Sequence, residues 1–359
     1  MSSIAAFMAA FVAPGQRFVS PAIMQLTFVL GLFVLLFAPF AEAEPAPARM
    51  RALLMTGYGA SDVLRLDQAP LPMPSSGEVR IRVHAASVNP IDWKIRAGRL
   101  QKNYPVSLPY IPGRDVAGTI DAVGSGVTRW KVGDSVFAVV DGGSLAEYVN
   151  APAENVALKP AKLSFKDAAG IPTASLAAWR TLIGNADIKE GQRVLIHGGA
   201  GGVGSTAVQL AHWRGAHVIA TASARNHDYL KSIGADEVID YRTTRFEAVA
   251  KNVDVVLDTV GGETLQRSPA VLREGGTLLT IVGVPPAQAC SERKLRCPSP
   301  STATKEQPGE ELAKLGQLFE NGVLKLNVEA EFPLAEATKA LELSETGRAR
   351  GKIIVRVID

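Results

Sequence analysis

Eight residues, His197-Gly198-Gly199-Ala200-Gly201-Gly202-Val203-Gly204, restrict what this chain can fold into more than any others. Gly199, Gly201 and Gly204 stand in the spacing GxGxxG, after an apolar run at 194–196 and before a helix-like run reaching 214. In a strand–loop–helix unit the first glycine permits a tight turn and the second lets the backbone approach a pyrophosphate. The third lets the helix pack close to the strand. The helix then aims its free N–H groups and the positive end of its dipole at the phosphates. Ala200, Gly202 and Val203 supply the rest of the cradle. A glycine-rich turn without a ligand is the plain alternative, and the downstream pattern argues against it. A nucleoside-triphosphate loop is excluded because no Gly-Lys-Ser/Thr follows.

That downstream pattern repeats strand and helix. Strands are expected at 217–220, 237–240, 253–257 and 277–282, with helical stretches between the earlier ones. Units of about 25 to 30 residues of this kind indicate a parallel, doubly wound α/β sheet. Residues 51–160 read differently, as short β runs (79–84, 115–123, 135–139) separated by turn signals, with no long helical period. They suggest an irregular, partly barrel-like β-domain. From Glu310 a helix, a strand at 324–328, another helix and a last strand at 353–357 close the chain.

Cofactor choice is written at the end of the second strand of the series. Sites for NAD hold an acid there for the ribose 2′-hydroxyl. Here Thr221-Ala222-Ser223-Ala224-Arg225 contains none. A hydroxyl and a guanidinium suit a 2′-phosphate, which arginine can bind through two parallel hydrogen bonds. NADPH is therefore expected, carried by Ser223 and Arg225, although an exposed arginine at a helix start would look the same.

Composition removes other classes. With 359 residues, 47% hydrophobic and 20% charged, the chain is long and apolar enough for two ordinary domains. Its net charge of +3 is scattered, and the densest basic patch, Arg293, Lys294 and Arg296, has no aromatic interleaving. A solvated strand face is expected there, and no nucleic-acid partner. The only cysteines are Cys290 and Cys297. If a strand joins them, their sulfurs lie roughly 23 Å apart, so two free thiols are expected.

The first 49 residues pose a separate question. From 18 to 41 no residue is charged, and Ala41-Glu42-Ala43 offers a small-x-small cleavage site. The run suits a signal peptide or a membrane span. Alternatively Met50, just before a first strand, is the true start. The three readings place the protein outside the cell, on a membrane or in the cytoplasm.

With these residues in hand, the chain resembles the quinone oxidoreductase branch of the medium-chain dehydrogenase/reductase superfamily, the group of zeta-crystallin and the zinc-free enoyl reductases. The resemblance runs from Met50 to the C-terminus. Its markers are Val88-Asn89-Pro90-Ile91-Asp92-Trp93-Lys94, Ile111-Pro112-Gly113-Arg114-Asp115-Val116-Ala117-Gly118, the glycine loop, Gly234-Ala235-Asp236-Glu237-Val238-Ile239-Asp240-Tyr241, and the closing Gly351-Lys352. It implies a Rossmann domain (171–305) inserted into a GroES-like, mainly β catalytic domain made of 50–170 and 306–359. Zinc relatives carry a cysteine where Asn89 stands and Gly-His-Glu in place of Gly113-Arg114-Asp115, so no metal is expected.

Without zinc, the resemblance implies hydride transfer from NADPH to a quinone or to the β-carbon of an α,β-unsaturated carbonyl. Charge developing on the acceptor oxygen must then meet hydrogen-bond donors. The candidates are Asn89, Lys94 and Tyr104, each with a plainer reading: a turn residue, a solvated lysine, a packing aromatic. Asp92 and Arg114 are expected to orient neighbours. Thr173 is implied near the nicotinamide, with Tyr241 and Gly283 as further cofactor contacts. A small-molecule substrate and a homodimer are expected. The competing classes are a non-catalytic nucleotide-binding protein on the same fold and a zinc alcohol dehydrogenase.

Overall fold

In the computed structural model of the chain, residues 49–298 and 306–358 are described. The leader, 1–48, lies outside them. The elements in chain order are β1 (Arg49–Met55), β2 (Leu64–Pro70), β3 (Glu78–Val88), α1 (Pro90–Arg96), β4 (Asp115–Val123), β5 (Ser135–Val139), β6 (Tyr148–Pro152), β7 (Val156–Leu158), α2 (Phe165–Ala169) and α3 (Pro172–Trp179). They continue with β8 (Arg193–His197), α4 (Gly202–Trp213), β9 (His217–Ala222), α5 (His227–Ser232), β10 (Glu237–Asp240), α6 (Phe246–Val249), β11 (Val253–Asp258), α7 (Gly262–Arg267) and β12 (Leu272–Thr280). The last are α8 (Ala287–Glu292), α9 (Pro308–Glu320), β13 (Val328–Pro333), α10 (Ala337–Glu345) and β14 (Lys352–Arg356). Among the described residues no helix is long and apolar enough to cross a membrane.

Strand β8 is buried through its centre, where Val194, Leu195 and Ile196 are fully inaccessible. Strands apolar on both faces suit the middle of a parallel sheet covered on both sides. The sheet is five-stranded in the order β10-β9-β8-β11-β12, and every pairing in it is parallel. Its order reverses between β8 and β11, and the glycine loop leaves the C-terminal end of β8 at that switch point, where such sheets bind ligands.

A second sheet, in the order β13-β14-β3-β4-β5-β7 with β6 also on β3, draws strands from both sides of the first in sequence. Strand β3 pairs antiparallel with β4 (Ser87↔Asp115) and with β14 (Ile353↔Val88). The fold is thus an α/β Rossmann sheet inserted into a GroES-like β-domain. The registers also bring residues 87–89, 115 and 352 to one end of the sheet.

Three expectations need correction. Helix α1 lies within the stretch read as β and turns. At seven residues it is too short to display a 3.6 period; it starts on Pro90, with the Asp92 carboxylate accepting from the Asn89 backbone N–H at 2.7 Å. The strand expected at 324–328 falls instead at β13. Leu324 is buried at the end of the turn that closes α9, while Val328–Pro333 carries the alternating exposure of an edge strand.

The cysteines are the third. Cys290 and Cys297 form a disulfide with Cα atoms 6.5 Å apart. No strand connects them. Cys290 lies in α8, Arg293 caps that helix, and Lys294 takes a left-handed φ of 51° that reverses the chain. The basic patch is therefore a helix end and a turn, and the Arg296 backbone pairs with the outer edge of β12, accepting from Leu278 and donating to Gly276, both at 2.9 Å.

Candidate active site

The glycine loop shows which glycine does what. Gly198, not Gly199, makes the tight turn, with φ of 70°. A Cβ on Gly199 would sit 2.9 Å from Ala220 Cβ, and one on Gly204 only 2.2 Å from Gly198 O. Both positions therefore serve close packing. Gly201 caps α4, and a Cβ there would meet nothing nearer than Gly198 O at 3.5 Å. The loop is thus packed tightly on one side and open at Gly201, which fits a backbone cradle for a pyrophosphate. Ala200, Gly202 and Val203 carry it into α4, whose first N–H groups have no partner within the helix.

At the tip of β9, Ser223 is buried and its hydroxyl accepts from Asn226 at 3.3 Å. Arg225 donates to the Arg348 carbonyl at 2.6 Å, joining this tip to the loop that precedes β14. Tyr241 is exposed, with the Arg242 guanidinium 5.9 Å from its ring centroid. Gly283 lies beyond β12 in a left-handed conformation with φ of 85°.

The second assembly is polar and buried. Asp115, at the start of β4, has no solvent exposure. Its Oδ2 accepts from Ser87 Oγ at 2.7 Å, Asn89 Nδ2 at 2.9 Å and Lys352 Nζ at 3.2 Å. Its Oδ1 accepts from the Thr173 backbone N–H at 2.8 Å and from the Thr173 hydroxyl. Lys352 also donates to Asn89 Oδ1 at 2.6 Å. Thr173 thereby binds the start of α3 to the β-domain. This assembly adjoins the glycine loop, because Gly351 N–H donates to Ala200 O at 2.9 Å.

The expected donors do not form one group. Asn89 belongs to the assembly just described. Tyr104 belongs to another, in which its hydroxyl accepts from Arg114 and donates to Asp141 at 3.2 Å, while Arg114 donates to Asp141 at 2.7 Å. Lys94 stands apart on α1, its ammonium 5.8 Å from the Trp93 ring centroid. Asp92 links the first two. Its carboxylate accepts from Asn89 N–H and, at 3.2 Å, from Gly113 N–H. Burial pushes its pKa up to about 6, against the pull of the Asn89 hydrogen bond.

Sequence reasoning singled out neither Asp115 nor Lys352 as a site residue, although both lay within quoted motifs. Their signal was a buried acid and a buried base in separate motifs, which only the β4–β3–β14 register brings together. Among the described residues, no three His, Cys, Asp or Glu side chains are grouped to hold a metal.

Comparison with known proteins agrees with this geometry. Residues 75–161 match the alcohol dehydrogenase GroES-like domain, and residues 233–355 match a family described as zinc-binding dehydrogenase. The chloroplast envelope quinone oxidoreductase homolog of Arabidopsis thaliana is 36% identical over 328 residues, covering 85% of this chain and 98% of the relative. This chain belongs to the quinone oxidoreductase branch of the medium-chain dehydrogenase/reductase superfamily. The NADPH-dependent alkenal/one oxidoreductase of Arabidopsis thaliana is also 36% identical, over 323 residues, covering 86% of this chain and 80% of the relative. The structure of the quinone oxidoreductase from Coxiella burnetii superimposes with a TM-score of 0.78 at 36% identity, covering 86% of this chain and all of that one. As a member of this branch the protein is an oxidoreductase of a nucleotide-binding dehydrogenase family. The zinc in one matched family's description finds no counterpart in the donor set. Asn89 is committed to Lys352 and Asp115, and Arg114 has no lone pair to give a metal.

Proposed function

We propose that the protein is an NADPH-dependent, zinc-independent reductase of quinones or of the C=C bond of α,β-unsaturated carbonyls. The observation that carries this reading is the direct join between the glycine loop and the Asn89–Asp115–Lys352 assembly through Gly351 and Ala200. A dinucleotide cradle and a set of buried hydrogen-bond donors lie side by side, with an amide and a guanidinium where zinc relatives place ligands. The relative named for NADPH-dependent alkenal and alkenone reduction supports the cofactor and one acceptor class, and relatives named for quinones support the other.

Bound nicotinamide would supply a hydride. The chain's own residues would do the rest. Gly201, Gly202 and the start of α4 would hold the pyrophosphate, Ser223 and Arg225 the 2′-phosphate, with Tyr241 and Gly283 as flanking contacts. Thr173 would stand beside the nicotinamide. An acceptor gaining hydride at carbon gains negative charge at oxygen, which Asn89 N–H can meet without a Lewis acid. The Tyr104 hydroxyl, held between Arg114 and Asp141, is the candidate to deliver the balancing proton, and Lys94 is the remaining cation of α1. We extend the reading to a small-molecule substrate and a homodimer, with no nucleic-acid partner.

A screen of quinones, enals and enones with NADPH tests the proposal. Oxidation of NADPH should depend on the acceptor and survive prolonged chelation. Loss of turnover on chelation, restored by zinc, would contradict it. NADPH binding without oxidation by any acceptor would instead indicate a nucleotide-binding protein without this activity.

A further inference from the structure

Lys352 is 3% exposed, yet nothing above requires a charge there. Its three protons face three acceptors: Asn89 Oδ1 at 2.6 Å, Asp115 Oδ2 at 3.2 Å and Val88 O at 3.4 Å. The important partner is the amide. A side-chain amide turned over about its last bond keeps nearly the same shape, so its neighbours decide which end is oxygen. Here they decide it completely. An ammonium can only donate, and an ionised carboxylate can only accept. Lys352 therefore claims Oδ1, and Asp115 takes one hydrogen of Nδ2 at 2.9 Å. The second Nδ2 hydrogen is the one polar group of the amide left uncommitted. Turned over, the amide would set hydrogens against the ammonium and oxygen against the carboxylate.

We propose that Lys352 is a positioning residue that, with Asp115, locks Asn89 in the orientation offering an N–H, not a carbonyl, to the acceptor oxygen. The proposal rests on the reductase reading above. The lock is also indexed to the cofactor loop. Gly351 donates to Ala200 O, and a Cβ on Gly202 would lie 3.1 Å from Lys352 Cδ. Thr173, holding the other oxygen of Asp115, ties the start of α3 to the same carboxylate. One buried lysine thus fixes what the donor presents and sits beside the cradle that must present the cofactor.

The test is a double-mutant cycle with Lys352→Met and Asn89→Ala, singly and together, read as kcat/KM for the best acceptor and as NADPH affinity. Each single change should cost about tenfold or more in kcat/KM. The double change should cost no more than Asn89→Ala alone, because Lys352 acts through that amide. NADPH affinity should stay within about threefold, less than the ~1.4 kcal/mol of a tenfold change. Losses that multiply would overturn the proposal. Lys352→Met leaves the buried Asp115 carboxylate without its counter-charge and costs stability, so Lys352→Met with Asp115→Asn is the control. It should regain thermal stability without regaining turnover; recovery of both would mean that the pair serves only the fold. The nitrogen-15 signal of the Asn89 side chain in the cofactor-free protein, assigned by its loss in Asn89→Ala, makes the lock testable without activity. It should shift in Lys352→Met, and an unmoved signal would refute the lock. If none of the quinones, enals or enones supports NADPH oxidation by the wild-type protein while the signal does shift, the reductase reading fails and the lock stands.

Discussion

Gly201 and Arg225 carry separate parts of the cofactor argument, and single substitutions separate them. A valine at Gly201 meets no atom closer than 3.5 Å at its Cβ, so the fold should tolerate it. Its branches would occupy the open side of the cradle. Calorimetry of Gly201→Val should show NADPH binding severely weakened with the melting temperature little changed; unaltered affinity in folded protein would remove the loop from the site. Arg225→Ala removes a guanidinium able to make charge-assisted hydrogen bonds, each contributing roughly 1.5 to 3 kcal/mol. NADPH should weaken about tenfold or more and NADH hardly at all. Equal losses would mean that the bond from Arg225 to Arg348 O supports structure instead. At this scale the sequence speaks where a pattern lies in local chain. The glycine spacing and the missing acid are local. Asp115 and Lys352 are 237 positions apart and meet only through strand pairing, so no local pattern could announce them.

Strands were legible where one face is buried and turns bound them. The runs expected at 115–123, 135–139 and 237–240 coincide with β4, β5 and β10. Short helices were not, since α1 and α8 span seven and six residues and show no period. Missing α8 also misled the reading of the cysteines, because a separation of seven residues means one distance along a strand and another around a helix end. The disulfide has a direct consequence. Thiol titration of denatured, unreduced protein should find no free thiol, and two after reduction. Closing a loop this short contributes about 2 to 3 kcal/mol in the chain-entropy account. Cys297→Ser should therefore lower stability by that order and loosen the pairing of Arg296 with the edge of β12. Two reactive thiols in the untreated protein would restore the strand reading.

For the molecule as a whole, acid stability reports on His197, the last residue of β8. It is fully inaccessible, its Nδ1 lies 3.2 Å from Thr221 Oγ1, and its ring meets Phe246 edge-on at 4.5 Å between centroids. Burial lowers its pKa to about 4. The unfolded chain therefore binds the proton first as pH falls. Its contribution is complete above about pH 6.5 and is lost toward pH 4, on the order of 3 kcal/mol in all. Asp92, raised to about 6, works in the opposite sense, favouring the folded state as pH falls through the same window. Urea unfolding of His197→Gln should lose less stability than wild type between pH 7 and pH 4.5; identical losses would mean that His197 does not titrate there. The parallel Rossmann sheet within a mainly β chain was legible from the change of texture along the chain and from the family motifs. The contact of the glycine loop with the turn before β14, at Gly351 and Ala200, was not, because it is a backbone hydrogen bond between turns distant in sequence.

In the proposed reaction hydride passes from NADPH to an electron-poor acceptor beside Asn89. Single-turnover oxidation of NADPH deuterated at C4 on one face or the other, with the best quinone or enone, tests it most directly. Oxidation should require the acceptor and be slowed by deuterium on one face only. Oxidation that proceeds equally without the acceptor, or at the same rate for both labelled faces and unlabelled cofactor, would contradict it.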